Sequence, residues 1–256
     1  MHDEAWAKMF KKYKIHKHNF KKEPFEITAQ MIKDATKDFT TTGDREVRIL
    51  CKQDTRESRP QVFIDNGLFL LPIKNGIYVI VKGEGYMDIP PMTNKTKAYK
   101  SKLKFRLDTS KVGNSEMQHI DFAYASSLIR SFMKDDSLVL TIRGRKYTPE
   151  FSFYVGKQKI TIKSVQTEVD AGYEGKQQVV LVEVKSSKVT NTIIRQLYYP
   201  FRQWQEHTSK KVIPLFFERN ESEYHIWQFE FKNVENYNSI KLVRTGRFII
   251  KESVII

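Results

Sequence analysis

The stretch QTEVDAGYEGKQQVVLVEVKSS, residues 166–187, decides the fold that the sequence predicts. Apolar residues alternate with charged ones in its first and last parts, and a glycine-containing polar run separates them. This pattern predicts two strands of one sheet joined by a bend. Because strand side chains repeat every second residue, Glu168 and Asp170 are expected on one face of the first strand. Glu183 and Lys185 share a face of the second strand in the same way.

If these two strands pair, three acids and a lysine meet on one surface. Clustered carboxylates repel one another unless a positive charge lies between them, and a hard divalent cation such as Mg²⁺ or Mn²⁺ supplies it. The Glu-X-Lys spacing places the Lys185 ammonium about 7 Å along the strand from Glu183, which suits holding a water near a phosphate. The alternative for the same pattern is a surface strand with solvated charges.

The charge of the whole chain favours a polyanionic partner. Its 256 residues include 44 Lys and Arg against 30 Asp and Glu, a formal net charge of +14. Neutralising phosphates releases condensed counterions, so nucleic acid is the expected partner. The alternatives are a basic protein without such a partner and an anionic membrane surface. The membrane is the weaker of these, because the basic residues do not mark one face of an amphipathic helix.

Composition excludes several other classes of protein. The chain is 40% hydrophobic and 29% charged, which is ordinary for a globular protein. No apolar run approaches the roughly 18–20 residues that span a bilayer, and the amino-terminal sequence lacks the apolar centre of a secretory signal. The single cysteine, Cys51, excludes an internal disulfide and indicates a reducing, cytoplasmic location. The histidines lack zinc-ligand spacing.

The amino-terminal third has the element order of a winged helix-turn-helix. The predicted elements are a helix over 3–13, a strand over 24–28, a helix over 29–35 capped by Thr28, helices within 46–53 and 58–67, and two strands joined at Asn75-Gly76. Such a module places a helix in a DNA groove and a hairpin against the backbone. The candidate DNA contacts are Arg45, Arg48, Lys52, Arg56 and Arg59. The alternative is a solvated basic surface.

The rest of the chain predicts an α/β core. Residues 91–114, rich in lysine and poor in apolar residues, are expected to be a linker or an extended DNA-facing arm. The elements expected after it are a helix over 115–133 capped by Ser115, strands over 138–144, 151–156, 160–170 and 177–187, a helix over 191–207, strands over 211–219 and 224–232, and a helix or strand over 241–256. A helix that crosses between strands of one sheet is typical of α/β proteins.

With these elements in place, the chain resembles the PD-(D/E)XK nucleases, in particular type II restriction endonucleases. The resemblance rests on Asp170 as the first acid, on Glu183-Val184-Lys185 as the second half of the motif, and on the following helix with Gln196. The phrases SEMQHIDFAY, RGRKYTPEFSF and TEVDAGYEG extend it over most of the chain. One departure is that Val169, and not proline, precedes Asp170; that proline is often absent in this superfamily.

The resemblance implies a mixed-sheet PD-(D/E)XK core and an amino-terminal winged-helix-like α+β domain. The expected domains are 1–90 for DNA recognition, 91–114 as the linker or arm, and 115–256 for catalysis. The implied activity is Mg²⁺-dependent cleavage of double-stranded DNA at a specific sequence, leaving 5′-phosphate and 3′-hydroxyl ends, with Mn²⁺ as a substitute. Duplex DNA is the implied partner and a cognate DNA methyltransferase the genetic one. A palindromic site would favour a homodimer.

The resemblance also implies roles for the motif residues. Asp170, Glu183 and the carbonyl of Val184 would hold the metal, and Lys185 would position or activate the attacking water.

A further metal-binding acid is left open between two residues. Glu116 would come from the preceding helix, and its alternative role is a first-turn glutamate that complements the helix dipole. Glu168 competes for the same place. Gln196 is expected either to orient the lysine or a phosphate, or to serve as a cap or core hydrogen-bond partner.

Other side chains of the carboxyl-terminal part are expected at DNA phosphates or in the core. Contacts to DNA phosphates are expected from the basic turn of Arg143, Arg145 and Lys146, for which a solvated loop is the alternative. Arg195 is a further candidate DNA contact. The aromatic residues favoured as core are Tyr198, Tyr199, Phe201 and Trp204, because they crowd one helix.

Two other functions compete with a restriction enzyme. The first is a DNA repair or recombination nuclease, which would use the same centre. The second is a non-catalytic DNA-binding protein with a degenerate nuclease core, although the intact acids and lysine count against it.

Overall fold

The computed structural model describes residues 2–252, which form eight α-helices and fourteen strands. The helices are α1 (Asp3–Lys12), α2 (Ala29–Thr36), α3 (Thr42–Arg45), α4 (Val47–Leu50), α5 (Gln61–Asn66), α6 (Glu116–Ala125), α7 (Leu128–Met133) and α8 (Arg195–Gln205). The strands are β1 (Phe25–Thr28), β2 (Leu68–Lys74), β3 (Ile77–Lys82), β4 (Tyr86–Asp88), β5 (Lys97–Lys100), β6 (Val139–Tyr147), β7 (Phe151–Val155), β8 (Gln158–Ile162), β9 (Gln166–Glu174), β10 (Gln178–Lys185), β11 (Asn191–Ile193), β12 (Lys211–Asn220), β13 (Glu223–Phe231) and β14 (Ile240–Lys251).

The largest sheet has seven strands in the order β5-β14-β13-β12-β10-β9-β6. β10 pairs in parallel with β12, and β14 pairs in parallel with β5, whereas the other neighbours are antiparallel. Helix α8 lies in the connection between β10 and β12, as parallel neighbours require a crossover. The fold is therefore mixed α/β with a mixed sheet, as the sequence predicts.

Two apolar cores cover the two faces of this sheet. On one face, Leu181 of β10 belongs to a core that includes Leu197 and Tyr199 of α8. On the other face, Val182 belongs to a core that includes Ile120 of α6. Because β10 is buried on both faces, its sequence is apolar almost throughout, and a charge within it is conspicuous.

The aromatic residues of α8 lie in the core, as predicted. Tyr198, Tyr199 and Phe201 are buried, and Trp204 packs against the same core while partly exposed. The aromatic rings of α8 therefore pack against the sheet, and few of these rings are available to contact a ligand.

The amino-terminal residues form a unit with its own core. β1, β3 and β2 make a three-stranded antiparallel sheet, and the predicted hairpin at Asn75-Gly76 is confirmed. Trp6 and Phe63 lie in the core of this unit. Phe69 of β2 instead joins the core under α8, so the unit packs directly onto the large sheet. The predicted Thr28 cap is also confirmed, since its side chain accepts the Met31 N–H at 3.1 Å.

Several predicted boundaries are wrong. Residues 115–133 form two helices, because Ser127 adopts a left-handed φ of 65° and ends the first run. Residues 160–170 belong to two strands separated at Ser164, which also has a positive φ of 54°. The helix predicted over 191–207 begins only at Arg195, since β11 precedes it and pairs with β4.

Three further segments differ from the prediction. Four residues within 91–114 form β5 at the edge of the large sheet, so this part is not a free linker. Residues 42–45 form the short helix α3, which the sequence did not predict, and the helix predicted in 46–53 is only the four residues of α4. The segment 241–256 is a strand as far as Lys251; its residues 253–256 lie outside the described residues. Among residues 2–252, no helix has both the length and the apolar character needed to cross a membrane.

Candidate active site

The predicted motif lies where β9 and β10 part. The two strands pair as far as Val182 and Ala171. Beyond that point β10 continues beside β12, and β9 continues beside β6. Asp170 and Glu183 are the next residue on each strand, so they stand at the opening of the fork.

A β-bulge sets the direction of Asp170. The pairing of β6 with β9 shifts so that Asp170 and Ala171 lie opposite the single residue Arg143. Bulges of this kind interrupt the alternation of side chains along the strand and change the direction in which they point. Val169 accordingly packs in the core under α8, whereas Ala171 packs in the core on the other face. Strict alternation, on which the sequence-based placement of Glu168 and Asp170 relied, therefore does not hold between Val169 and Ala171.

The carboxylate of Asp170 satisfies a main-chain group of the neighbouring strand. Its Oδ2 accepts the N–H of Val184 at 2.8 Å, in place of a partner that β9 would have supplied had the ladder continued. Burial raises the pKa of Asp170 above its ordinary value, outweighing the Val184 N–H and the Lys185 charge, which both lower it.

Glu183 and Lys185 form an ion pair in the same fork. The Lys185 ammonium donates to Glu183 Oε1, and the two side chains are only 24% and 11% exposed respectively. Burial raises the pKa of Glu183 to about 7, with the Lys185 charge opposing the shift and the Asp170 charge adding to it. Burial alone would lower the pKa of Lys185, but the charges of Glu183, Asp170 and Glu116 outweigh it and raise that pKa.

Of the two further acids, Glu116 is the one that contacts β10 and the loop after it. Its Oε1 accepts the N–H of Ser186 at 3.1 Å. Glu168 instead pairs with Arg145 at 3.3 Å, and its side chain is 57% exposed. Both carboxylates contribute to raising the pKa of Asp170. The first turn of α6 is fixed by the predicted Ser115 cap, which accepts the Gln118 N–H at 3.2 Å.

Gln196 lies in a cleft beside Glu183. The cleft is lined by both residues together with Glu168 and Leu197, among others. The Thr192 hydroxyl donates to Gln196 Oε1, which orients the amide. Its Nε2 makes no hydrogen bond to the described residues, so it is free to donate to a ligand in the cleft.

Asp54, which no pattern in the sequence singles out, is brought by the fold to the same region. Its carbonyl accepts the Ile193 N–H at 2.8 Å, and its carboxylate pairs with Arg195 at 3.3 Å. The Asp54 charge is among those that raise the pKa of Glu183. Since 141 residues separate Asp54 from Arg195, no local pattern could have revealed the pair.

The residues predicted to contact DNA fall into two groups. Arg45, Arg48 and Lys146 are exposed, and they form no ion pair with any residue in the described range 2–252. The others are engaged with the protein: Lys52 lies 3.9 Å from Asp54, Arg56 pairs with Asp88, Arg143 with Asp121, Arg145 with Glu168, and Arg195 with Asp54.

Arg59 has a structural position that sequence reasoning missed. Its guanidinium donates to the Leu68 carbonyl at 3.1 Å and lies 4.9 Å from the ring centroid of Tyr86. These contacts join the loop after α4 to β2 and β4 and engage the guanidinium of Arg59, which is predicted to contact DNA, within the protein.

The donor set of the fork is two partly buried carboxylates and one ammonium. Over residues 2–252, no three His, Cys, Asp or Glu side chains converge as the ligands of one metal ion would. Asp170 and Glu183 nevertheless bring hard oxygen donors to the same fork, and Glu116 contacts Ser186 just after the end of β10.

Comparison with known families gives two matches. A family model described as Domain of unknown function (DUF6996) matches residues 3–80, and one described as Domain of unknown function (DUF6997) matches residues 81–249. No curated protein matches the chain, and no solved structure matches it. The second family model covers more than half of the 256 residues. The chain therefore belongs to the DUF6997 family.

Proposed function

We propose that the chain is a Mg²⁺-dependent endonuclease of the PD-(D/E)XK kind that cleaves duplex DNA at a specific sequence, as type II restriction enzymes do. The observation that carries the proposal is the meeting of Asp170, Glu183 and Lys185 at the fork between β9 and β10. The crossover helix α8 beside β10 is in keeping with such a nuclease core. Helices α2 to α4 with the β2–β3 hairpin support a winged-helix-like recognition unit.

The carboxylates fit a divalent cation. Burial and the charges of neighbouring carboxylates raise the pKa values of Asp170 and Glu183, and a cation between them would offset both effects. Mg²⁺ is usually held by one or two carboxylates while waters and phosphate oxygens complete its shell. Asp170, Glu183 and the Val184 carbonyl would hold it, with Glu116 as the further acid; Mn²⁺ would substitute. The bound ion would polarise the phosphoryl group and lower the pKa of a water.

Lys185 acts in this proposal as a hydrogen-bond donor. The charges of Glu183, Asp170 and Glu116 raise its pKa against the effect of burial, which favours the ammonium form that donates hydrogen bonds. The side chain is held at Glu183, from which it orients the attacking water and stabilises negative charge that develops on the phosphate. Gln196 Nε2, in the adjoining cleft, donates to a phosphate oxygen.

The partner proposed is duplex DNA. The net charge of +14 supports it, and the exposed Arg45, Arg48 and Lys146 supply donors for phosphates. A cognate DNA methyltransferase would protect the host sequence, and a palindromic site would be matched by a homodimer of the chain.

Digestion of a sequenced phage genome tests the proposal. With Mg²⁺ present, sequencing of the cut ends is expected to find 5′-phosphates at one short recurring sequence. Ends scattered over the genome, or nicks only at irregular DNA structures, would instead indicate a repair or recombination nuclease. DNA that is bound but left intact would identify a DNA-binding protein with a degenerate core and contradict the proposal.

A further inference from the structure

One strongly basic segment takes no part in the proposed catalysis. Residues 11–22, KKYKIHKHNFKK, contain six lysines and two histidines and no acid. None of these residues belongs to the fork between β9 and β10 or to helices α3 and α4, which carry the exposed arginines.

The fold fixes this segment at the surface. Beyond α1 the chain passes through Lys14, which has a positive φ of 54°, into a 3-10 turn over Ile15–Lys17. Ile15 is fully buried in the amino-terminal core, which anchors the turn. Hydrogen bonds within the segment, such as that from the Lys22 N–H to the Asn19 carbonyl at 2.9 Å, complete it. The basic side chains are therefore held in one region and do not disperse as they would on a disordered tail.

A surface hollow lies between this segment and the end of β3. Its lining, which we call the basic hollow, consists of Phe10, His16, His18, Asn19, Phe20, Lys21, Asn66 and Lys82. The hollow has a volume of about 380 Å³, which accommodates a phosphate and its sugar. The lining contains lysine, histidine and amide donors and no carboxylate.

The cations around the hollow lack internal counter-charges. Lys21 and Lys82 form no ion pair with any part of the chain that the structure describes, and the same holds for Lys11, Lys14, Lys17 and Lys22. His16 and His18 each place one ring nitrogen at a main-chain carbonyl, which fixes the orientation of the rings. Like charges held together by the fold repel one another, and a bound anion would relieve that repulsion.

We infer that the basic hollow binds a backbone phosphate of nucleic acid, as a contact remote from the catalytic fork. The inference rests on the proposed function, because that function makes DNA the ligand. Lysine ammonium and asparagine amide groups are the usual donors to backbone phosphates, and such contacts fix the register of a protein on the duplex without reading its sequence. Inorganic phosphate presents the same chemistry, so the test separates the two sources.

The test measures binding of a 20-base-pair duplex by the full chain in EDTA over a series of salt concentrations. The double variant Lys21→Glu, Lys82→Glu changes the hollow. The matched control Lys211→Glu, Lys241→Glu changes the net charge equally at exposed lysines of β12 and β14, outside the proposed recognition unit. The milder pair Lys21→Gln, Lys82→Gln serves if the reversals impair folding, which thermal unfolding reports.

One or two lost phosphate contacts lower the slope of log K against log salt by about 1–2. We expect this loss in both hollow variants, with a smaller change in the control. A slope that is unchanged, or that falls equally in the control, overturns the inference. Titration with inorganic phosphate, followed by the NMR signals of His16 and His18, forms the second arm. Saturation by inorganic phosphate without any change in the DNA slope would assign the hollow to the free ion and overturn the nucleic-acid source.

These readouts remain distinct from those of the proposed function. Binding is measured without Mg²⁺, so a chain that binds DNA through the hollow but never cleaves it would contradict the nuclease alone. Site-specific cleavage with an unchanged salt slope would contradict the hollow alone.

Discussion

The ionisation of Glu183 is expected to make the free energy of unfolding depend on pH. Its side chain is 11% exposed, and its pKa rises from 4.5 to about 7 on folding. An acid with a raised pKa binds its proton more tightly in the folded state, so its ionisation destabilises that state. The destabilisation is absent below pH 4.5 and complete above about pH 7.

Glu183→Gln should therefore gain stability relative to the wild type as the pH rises from 5 to 8. The shift of pKa corresponds to at most about 3 kcal/mol, reduced because the variant leaves Lys185 without its partner. Urea unfolding in EDTA across this pH range measures the difference. A difference between variant and wild type that stays constant with pH would contradict the account of Glu183.

The two candidate acids should differ in their effect on cleavage. Glu116 accepts the Ser186 N–H next to the motif, whereas Glu168 is exposed and paired with Arg145. Glu116→Gln is expected to lower the cleavage rate about 10- to 100-fold, as loss of a supporting group at a metal centre does. Glu168→Gln is the matched control and should change it little. The opposite ranking in single-turnover assays would assign the further acid to Glu168.

The types and spacing of the residues predicted the three candidate catalytic side chains. Asp170, Glu183 and Lys185 stand out because charges interrupt strands that are otherwise apolar, and the structure brings all three together. Asp54 could not be predicted, because its proximity to Glu183 depends on a loop of the amino-terminal unit reaching a distant strand.

At the scale of elements, the capping of α6 has a testable connection with the site. Ser115 accepts the Gln118 N–H and begins the helix on which Glu116 stands. Ser115→Ala should reduce the free energy of unfolding by about 1 kcal/mol and also slow cleavage, since the first turn frays. Thr28→Ala removes the equivalent cap of α2 and is the control. It should lose similar stability and keep its cleavage rate.

The outcome is read from urea unfolding and cleavage rates of the same preparations. Equal rates for Ser115→Ala and Thr28→Ala would show that the α6 cap does not position Glu116.

Elements with strong local signals were predictable, and those fixed by distant contacts were not. The Asn75-Gly76 hairpin and the Thr28 cap are encoded by neighbouring residues, and both are confirmed. The bulge at Asp170 depends on how β6 pairs with β9, which the alternation in β9 does not reveal. β5 and β11 are strands only because β14 and β4 pair with them.

For the whole molecule, Asn191 is the clearest joint between the amino-terminal unit and the large sheet. Its Oδ1 accepts the Arg56 N–H at 2.7 Å, and its Nδ2 donates to the Glu57 carboxylate at 2.9 Å. The residue is only 3% exposed. The joint holds the loop that carries Asp54 against β11, close to the candidate active site.

Asn191→Ala should reduce the free energy of unfolding by about 1–3 kcal/mol, because it removes a buried side chain that accepts the partly buried Arg56 N–H. Asn220→Ala, at an exposed strand end, is the control and should change stability little. Urea unfolding followed by tryptophan fluorescence compares them. Equal midpoints for the two variants would show that the joint contributes nothing to stability.

The sequence predicted the mixed α/β class of the whole chain but not how its two parts meet. Alternating apolar segments identify strands, and the helix between β10 and β12 indicates a crossover. The packing of Phe69 under α8 and the docking at Asn191 depend on shape and on partners far apart in the sequence.

Cleavage by Lys185→Ala tests the central claim most directly. The wild type, Lys185→Ala and the control Lys176→Ala, an exposed lysine of the β9–β10 bend, are incubated with phage genomic DNA and Mg²⁺, and their DNA affinities are measured in EDTA. The account predicts cleavage by the wild type and by Lys176→Ala, none in EDTA, and at least about a 100-fold slower rate for Lys185→Ala at similar affinity. Undiminished cleavage by Lys185→Ala, or DNA that the wild type binds and leaves uncut with Mg²⁺, would contradict it.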